Sequence, residues 1–377
     1  MNLRQKIVRE IQEVGPIRFS RYMEMCLYDP EFGYYSRNAE KFGRAGDFYT
    51  SSDVHAVFGR LLARQFEEMW RMLGSPTEIE VLELGSGRGL FAQDVLDWSE
   101  KKFPGFFQAV RYSLLERSSI LRQHQEKTLE RHIASGKAVV VEAGEFDRWR
   151  SRSAEIPVIV FANEFFDALP VEIVSDRGTL RLAARGDLFV EEWAEASAAE
   201  FEFLDRYGVH PEAADRVEAC LIAQQWMSRI AKSIKRGFLI AIDYGYTREE
   251  QRAGRHLGTV MAYRQHSASA NPFEAPGDQD ITAHVNFTAL LAAAEAEGMA
   301  TYKLRTQSQF LLGIGENNQF ADAFEECTLP QEKAKVALQL KHLVTPAGVG
   351  ETFHVMVASK GVEVSEAEKL SGLSFGK

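Results

Sequence analysis

VLELGSGRGLF, residues 81–91, carries an apolar run through Gly85, Gly87 and Gly89 into helix-forming residues. Glycines at such a join permit a tight turn and let a ligand approach the backbone, while the helix start beyond them attracts negative charge. A dinucleotide fingerprint would need glycine at position 90, where this chain has Leu90. Similar apolar runs recur as IEVLEL (79–84), VRYSLLE (110–116), AVVVEA (138–143), PVIVFAN (157–163) and GFLIAIDYG (237–245), with helical stretches between most of them. That alternation predicts an α/β fold, a doubly wound and mostly parallel sheet covered by helices. TYKLRTQSQFLL near residue 301 and TFHVMVAS near residue 352 read as the last two strands, an antiparallel edge after a helix over Asn286–Gly298.

Helical spacing also marks residues 1–14 and 54–73, the second through Val57, Leu61, Leu62, Phe66, Met69 and Trp70. Between them runs a glycine- and aromatic-rich loop, Leu27–Ser52, and loops this long in compact domains tend to be functional. Two stretches interrupt the alternation. Residues 170–193 read as short strands around turns, followed by a helix to about residue 234, and residues 246–285 read as irregular. The expected organisation is an N-terminal helical cover (1–75), a domain over 76–360 with insertions at 170–236 and 246–285, and a C-terminal tail (361–377).

The 377 residues, 45% hydrophobic with a net charge of −10, fit a soluble globular chain with ample core. No stretch approaches the ~18 apolar residues that span a bilayer, and the acid-containing amphipathic N-terminus is unlike a signal peptide. The expectation is a cytoplasmic protein with no membrane insertion. Cys26, Cys220 and Cys327 lie far apart, with neither a disulfide framework nor a zinc spacing. An acidic chain lacks the electrostatic footprint of nucleic-acid binding, so no nucleic acid is expected as a partner.

With Glu83 preceding it, the G-x-G-x-G spacing resembles the S-adenosylmethionine loop of class I methyltransferases, which assigns Glu83, Gly85, Ser86, Gly87 and Gly89 to the cofactor. The bland alternative is a plain strand-to-helix turn. Glu116 ends the second strand, where one carboxylate can accept from both hydroxyls of a ribose; a solvated surface acid is the competing reading. Gly144 and Glu145 follow the third strand, where such enzymes often hold the adenine, although acid-rich surface turns are common.

Seven blocks, in order, are similar to the MidA family of class I methyltransferases: GPIRFSRYMEMCLYDPEFGYY (15–35), GDFYTSSDV (46–54), ELGSGRG (83–89), ANEFFDALPV (162–171), IDYGY (242–246), PGDQDITAHVNF (276–287) and LVTPAGVGETFHVM (343–356). That family includes a mitochondrial complex I assembly factor that methylates an arginine of a complex I subunit. The resemblance implies a class I, Rossmann-like methyltransferase fold and methyl transfer from S-adenosyl-L-methionine to a protein arginine. S-adenosylhomocysteine would be the product and an NADH dehydrogenase subunit a possible protein substrate. It also implies that Gly46, Asp47, Phe48 and Thr50 fold over the cofactor. Ser52-Asp53 stands where the family usually has Pro-Glu, and Val349 and His354 stand where Met and Lys are more usual.

Methyl transfer is an in-line displacement that needs proximity and orientation and calls for no metal. A guanidinium acceptor has to be held as a cation while one nitrogen loses its proton, and carboxylates suit both tasks. The fourth strand delivers Asn163, Glu164 and Asp167 at its carboxyl end, where open α/β sheets bind ligands. Glu164 and Asp167 are the candidates for holding the acceptor, with Asn163 positioning it and also near the cofactor; helix capping is the alternative for Asn163 and Asp167. Asp243 and Tyr244 end the fifth strand beside the same expected pocket, or serve as buried structural groups. His266 and His284 are candidate pocket residues that titrate near neutral pH, with loop anchoring as the alternative. Thr282 and Asn286 could instead cap the next helix. Tyr34, Tyr35, Phe42, Phe48 and Tyr49 offer either cation–π faces or packing. Rival functions are a small-molecule or other-residue methyltransferase and a non-enzymatic assembly chaperone of the same fold.

Overall fold

A computed structural model describes residues 2–37, 56–152, 155–213, 215–254, 257–264 and 267–375. The chain divides into two compact units, one of Thr50–Glu164, Arg229–Tyr244 and Ala294–Lys377, the other of Met1–Tyr49, Phe165–Ser228 and Gly245–Ala293.

The main sheet is built on β1 (Ile79–Leu84), β2 (Val110–Glu116), β3 (Ala138–Glu142), β4 (Val158–Asn163), β5 (Gly237–Tyr246), β6 (Ala300–Thr301) and β7 (Phe353–Lys360). Their spatial order is β6-β7-β5-β4-β1-β2-β3. The pairs among β3, β2, β1, β4 and β5 are parallel, and β7 runs antiparallel to both β5 and β6. All six residues of β1 and all ten of β5 are buried, the signature of strands covered on both faces. Burial of Glu80 within β1 is tolerated because Arg150 (3.1 Å) and the Ser113 hydroxyl (2.9 Å) both donate to its carboxylate. Strand order reverses between β1 and β4, and the carboxyl ends on either side of such a reversal are where ligands bind. Helix Ala56–Met72 packs Phe58, Leu61, Leu62 and Phe66 into this unit's core, where Phe66 and Phe91 meet Phe161 of β4.

Two expectations change here. The run from residue 301 is mostly not a strand: after β6 only Arg305–Thr306 pairs with β7, and Gln307–Glu316 is a helix. Thr306 and Gln309 form a capping box that satisfies the first turn, and the helix then buries Phe310, Leu311 and Ile314. Residues 361–375 do not trail off as a tail; helices Val364–Ala367 and Ser371–Ser374 bury Ala367, Leu370 and Leu373 in the same core.

In the second unit, strands Ile17–Arg18, Gly178–Arg185, Glu172–Ser175, Val217–Ala219 and Leu188–Ala194 form an antiparallel sheet. Helices Leu3–Val14 and Phe19–Tyr28 bury Ile7, Ile11, Phe19 and Tyr22 with Leu180 and Leu182. The helix expected through residue 234 is two, Ala198–Tyr207 and Leu221–Ser233, separated by the strand at 217–219. The stretch read as irregular contains a three-stranded sheet of Met261–Arg264, Ser267–Ser269 and Asp280–Thr282. Among the described residues no helix is long and apolar enough to cross a membrane.

Candidate active site

The loop after β1 owes its path to three left-handed glycines, Gly85 (φ 63°), Gly87 (φ 51°) and Gly89 (φ 79°). L-residues are strained at these angles, which explains glycine at every second position. Gly89 caps helix Leu90–Lys102, and a Cβ added at Gly87 would meet only open space. Gln125, fully buried on helix Ser119–Thr128, braces the loop by donating to Ser86 Oγ (3.0 Å) and the Gly87 carbonyl (2.8 Å). No spacing rule singles out Gln125 in the sequence; only its place on the inner face of a helix points to it.

Glu116, last in β2, is buried beside this loop and accepts from the backbone N–H of Ser118 at 2.9 Å. Burial pushes its carboxyl up to about 7, against the lowering effect of N–H groups of Ser118, Arg117 and Gly87. Glu83 lies within β1, where burial raises its carboxyl to about 8, opposed by the hydrogen bond from Tyr112 (2.9 Å) and assisted by the charge of Glu116. Gly144 and Glu145 form an exposed single turn after β3, and Glu145 pairs with Arg148 at 3.7 Å.

At the carboxyl end of β4, Asn163 Nδ2 donates to Glu164 Oε1 (3.0 Å), and the Glu164 N–H donates to the Ile242 carbonyl of β5 (3.0 Å). Glu164 is held at φ 50°, a left-handed conformation that costs a non-glycine residue on the order of 1–2 kcal/mol. Asn163 Oδ1 is buried with no hydrogen-bond partner among the described residues. No helix follows β4, since residues 164–171 turn irregularly into strand Glu172–Ser175, so the capping alternative for Asn163 and Asp167 lapses. Gly87 with its open face follows the end of β1, Glu116 ends β2, and Asn163 ends the neighbouring β4.

The remaining candidates separate by role. Asp243 is fully buried and accepts the N–H of Tyr244 (3.0 Å); Tyr244 packs edge-to-face on Phe353 within the apolar core. In the other unit Asp167 is buried, and its carbonyl accepts from the Ala283 N–H (3.0 Å). The backbone N–H of His284 donates to Thr259 Oγ1 (3.1 Å), and the residue lines a small cavity with Cys220, Phe166 and Asn286. Asn286 is a cap: its Oδ1 accepts the Ala289 N–H (3.0 Å) at the start of helix Phe287–Ala296. Tyr34 packs in the core, whereas half-buried Tyr35 donates to Asp280 Oδ1 (2.9 Å), a pairing the sequence did not suggest. Gly46, Asp47, Phe48, Thr50 and His266, with Phe42 and Tyr49, lie outside the described residues. Among those described, no three His, Cys, Asp or Glu side chains are grouped to hold a metal ion.

A family model of S-adenosyl-L-methionine-dependent methyltransferases matches residues 61–305. The chain is 27% identical, over 99% of its own length and 88% of the relative's, to the Drosophila melanogaster mitochondrial protein arginine methyltransferase NDUFAF7 homolog. It is 26% identical to human mitochondrial protein arginine methyltransferase NDUFAF7, covering 92% of this chain and 81% of that protein. A Burkholderia thailandensis structure with bound S-adenosyl-homocysteine superposes with a TM-score of 0.80 at 27% identity, covering 99% of this chain and 94% of that one. The mitochondrial naming of the fly, zebrafish and human relatives overturns the expectation of a cytoplasmic protein. A family match across most of the chain and a full-length structural match to a protein that holds the demethylated cofactor establish the conclusion: the chain belongs to the MidA family of class I, S-adenosyl-L-methionine-dependent methyltransferases.

Proposed function

We propose that this methyltransferase modifies an arginine side chain of a protein, and that the protein is a subunit of respiratory complex I, the NADH dehydrogenase. The observation that carries the reading is Glu164: a carboxylate at the end of β4, held in a strained backbone conformation and oriented by Asn163. Strain of this kind persists where the surroundings over-determine a residue, and it clusters at functional sites. The relatives named as protein arginine methyltransferases point to the same acceptor.

Gly85, Ser86, Gly87 and Gly89 would hold the methionine portion of the cofactor, Glu116 the ribose hydroxyls, and the turn at Gly144 and Glu145 the adenine side. S-adenosylmethionine supplies a methyl carbon on a positive sulfur. Glu164 and Asp167 would bind the acceptor guanidinium as a cation, aligning one nitrogen along the line of attack. As that nitrogen took the methyl carbon and the carbon–sulfur bond broke, leaving its electron pair on the now neutral sulfur, a Glu164 carboxylate oxygen would take the proton the nitrogen loses and release it to solvent. Glu164→Gln keeps the shape and removes the charge. Turnover should fall by a factor of about 100 or more, while cofactor affinity stays within about twofold. Kinetics paired with calorimetry on the variant test this, and retained turnover would remove Glu164 from the reaction.

A further inference from the structure

We infer that Gln125 is a positioning residue of the cofactor site, holding Gly87 so that the glycine loop keeps its open face and Glu116 stays set to accept from the ribose. The inference rests on the reading that this loop and Glu116 hold the cofactor, and it adds a residue to which that reading gives no part. Helix Ser119–Thr128 turns Leu121 and Gln125, one turn apart, toward the interior. From there Gln125 Nε2 spends its two hydrogens on the loop, one on Ser86 Oγ (3.0 Å) and one on the Gly87 carbonyl (2.8 Å). A carbonyl can only accept, so it is the nitrogen of the amide that faces the loop. On its other side Gly87 offers its N–H to Glu116, whose carboxylate also accepts from the Ser118 N–H (2.9 Å) at the head of the same helix. Arg122 ties that helix to the Glu116 carbonyl (3.0 Å).

Packing alone does not call for an amide here. Gln125 is fully buried, and its Oε1 has no hydrogen-bond partner among the described residues. A methionine fills much the same space, keeps the helix and leaves no acceptor unpaired, so the amide is accounted for by what its nitrogen holds. What it holds is a residue with a left-handed backbone (φ 51°) and no side chain to anchor it. The side of Gly87 where a Cβ would stand is open, which leaves its backbone groups to fix its place. Donation by the Gly87 N–H lowers the carboxyl of Glu116 that burial lifts to about 7, so a Gly87 released from Gln125 lets it rise further. The charged groups facing that carboxyl, Glu83 on β1, Glu142 opposite it on β3 and Arg122 on the helix, are untouched by a change at Gln125.

The test is calorimetric titration of the full chain with S-adenosylhomocysteine between about pH 6 and 8.5, for wild type, Gln125→Met, Glu116→Gln and the double variant. Gln125→Met should bind about five- to tenfold more weakly at neutral pH, and the midpoint of its pH dependence should lie above that of wild type. With Glu116→Gln already in place the same change should cost no more than about twofold, since the two residues act through Gly87 as one unit. Gln125→Glu, which keeps the shape and turns an acceptor on the Gly87 carbonyl, should weaken binding in the same way and decides the matter if the methionine variant does not fold. An affinity or a pH midpoint unchanged by Gln125→Met, or a loss equally large with and without Glu116, would overturn the inference while Glu116→Gln still binds weakly. Wild-type affinity in Glu116→Gln would instead sink the ribose reading on which it rests.

Discussion

Glu116 shows how much a single residue carries. Its carboxyl, raised to about 7 by burial, would have to ionise to accept from two ribose hydroxyls in the role proposed for it, so cofactor affinity should rise with pH through about 7. Calorimetric titration between pH 6 and 8.5 should show this, and Glu116→Gln should bind weakly with no pH dependence. The same burial has a stability consequence of opposite sign. Glu83 and Glu116 have folded-state values above their unfolded ones, so their stabilising contribution is complete below about 4.5 and is lost as pH rises through about 7 to 8. Thermal melts of the cofactor-free protein should therefore decline over that window, less steeply in Glu83→Gln. Glu164 supplies a separate test: Glu164→Gly relieves a left-handed backbone worth about 1–2 kcal/mol, so its melting temperature should equal or exceed that of wild type while activity is lost. Residue types at strand ends made Glu116 and Glu164 visible in the sequence. The strain at Glu164, the brace from Gln125 and the Tyr35–Asp280 pair were not, because each depends on a backbone angle or on partners that only the fold brings together.

Among the elements, the β-strands that are buried on both faces were the most legible. Ile79–Leu84 and Val110–Glu116 match their apolar runs residue for residue, since a strand covered on both sides needs unbroken apolar character and no particular period. QSQFLL failed for the same reason in reverse. A short apolar run fits a strand or a helix equally, and the deciding signal was the Thr306–Gln309 capping box. The closing residues were misjudged because two four-residue helices carry no periodicity to read, yet the Ser371 N–H and hydroxyl bond Glu68, and the Gly372 N–H bonds Gln65. Deleting residues 361–377 should expose the surface that Leu370 and Leu373 cover, costing roughly 3–6 kcal/mol at the usual worth of a buried leucine. Denaturant unfolding measures that loss, and an unchanged midpoint would show these helices to be dispensable.

Over the whole molecule, the two units are each assembled from three separate stretches of chain. Sequence position hides this, and it is why the N-terminal stretch and the two insertions read as separate decorations. Ile17 pairing with Leu182 is the kind of contact that joins them. The family was legible because its motif blocks sit at strand ends and turns, where chemistry constrains residue type more tightly than packing does. The net charge of −10 divides into a few buried acids with proposed tasks and a larger solvated remainder. What is proposed for Glu164 and Asp167 depends on what receives the methyl group. The most direct measurement is incubation of the purified protein with methyl-labelled S-adenosylmethionine and respiratory-complex proteins, followed by mass spectrometric identification of the labelled residue. Label on an arginine of a complex I subunit is the predicted result; label confined to small metabolites or to another residue type would contradict it.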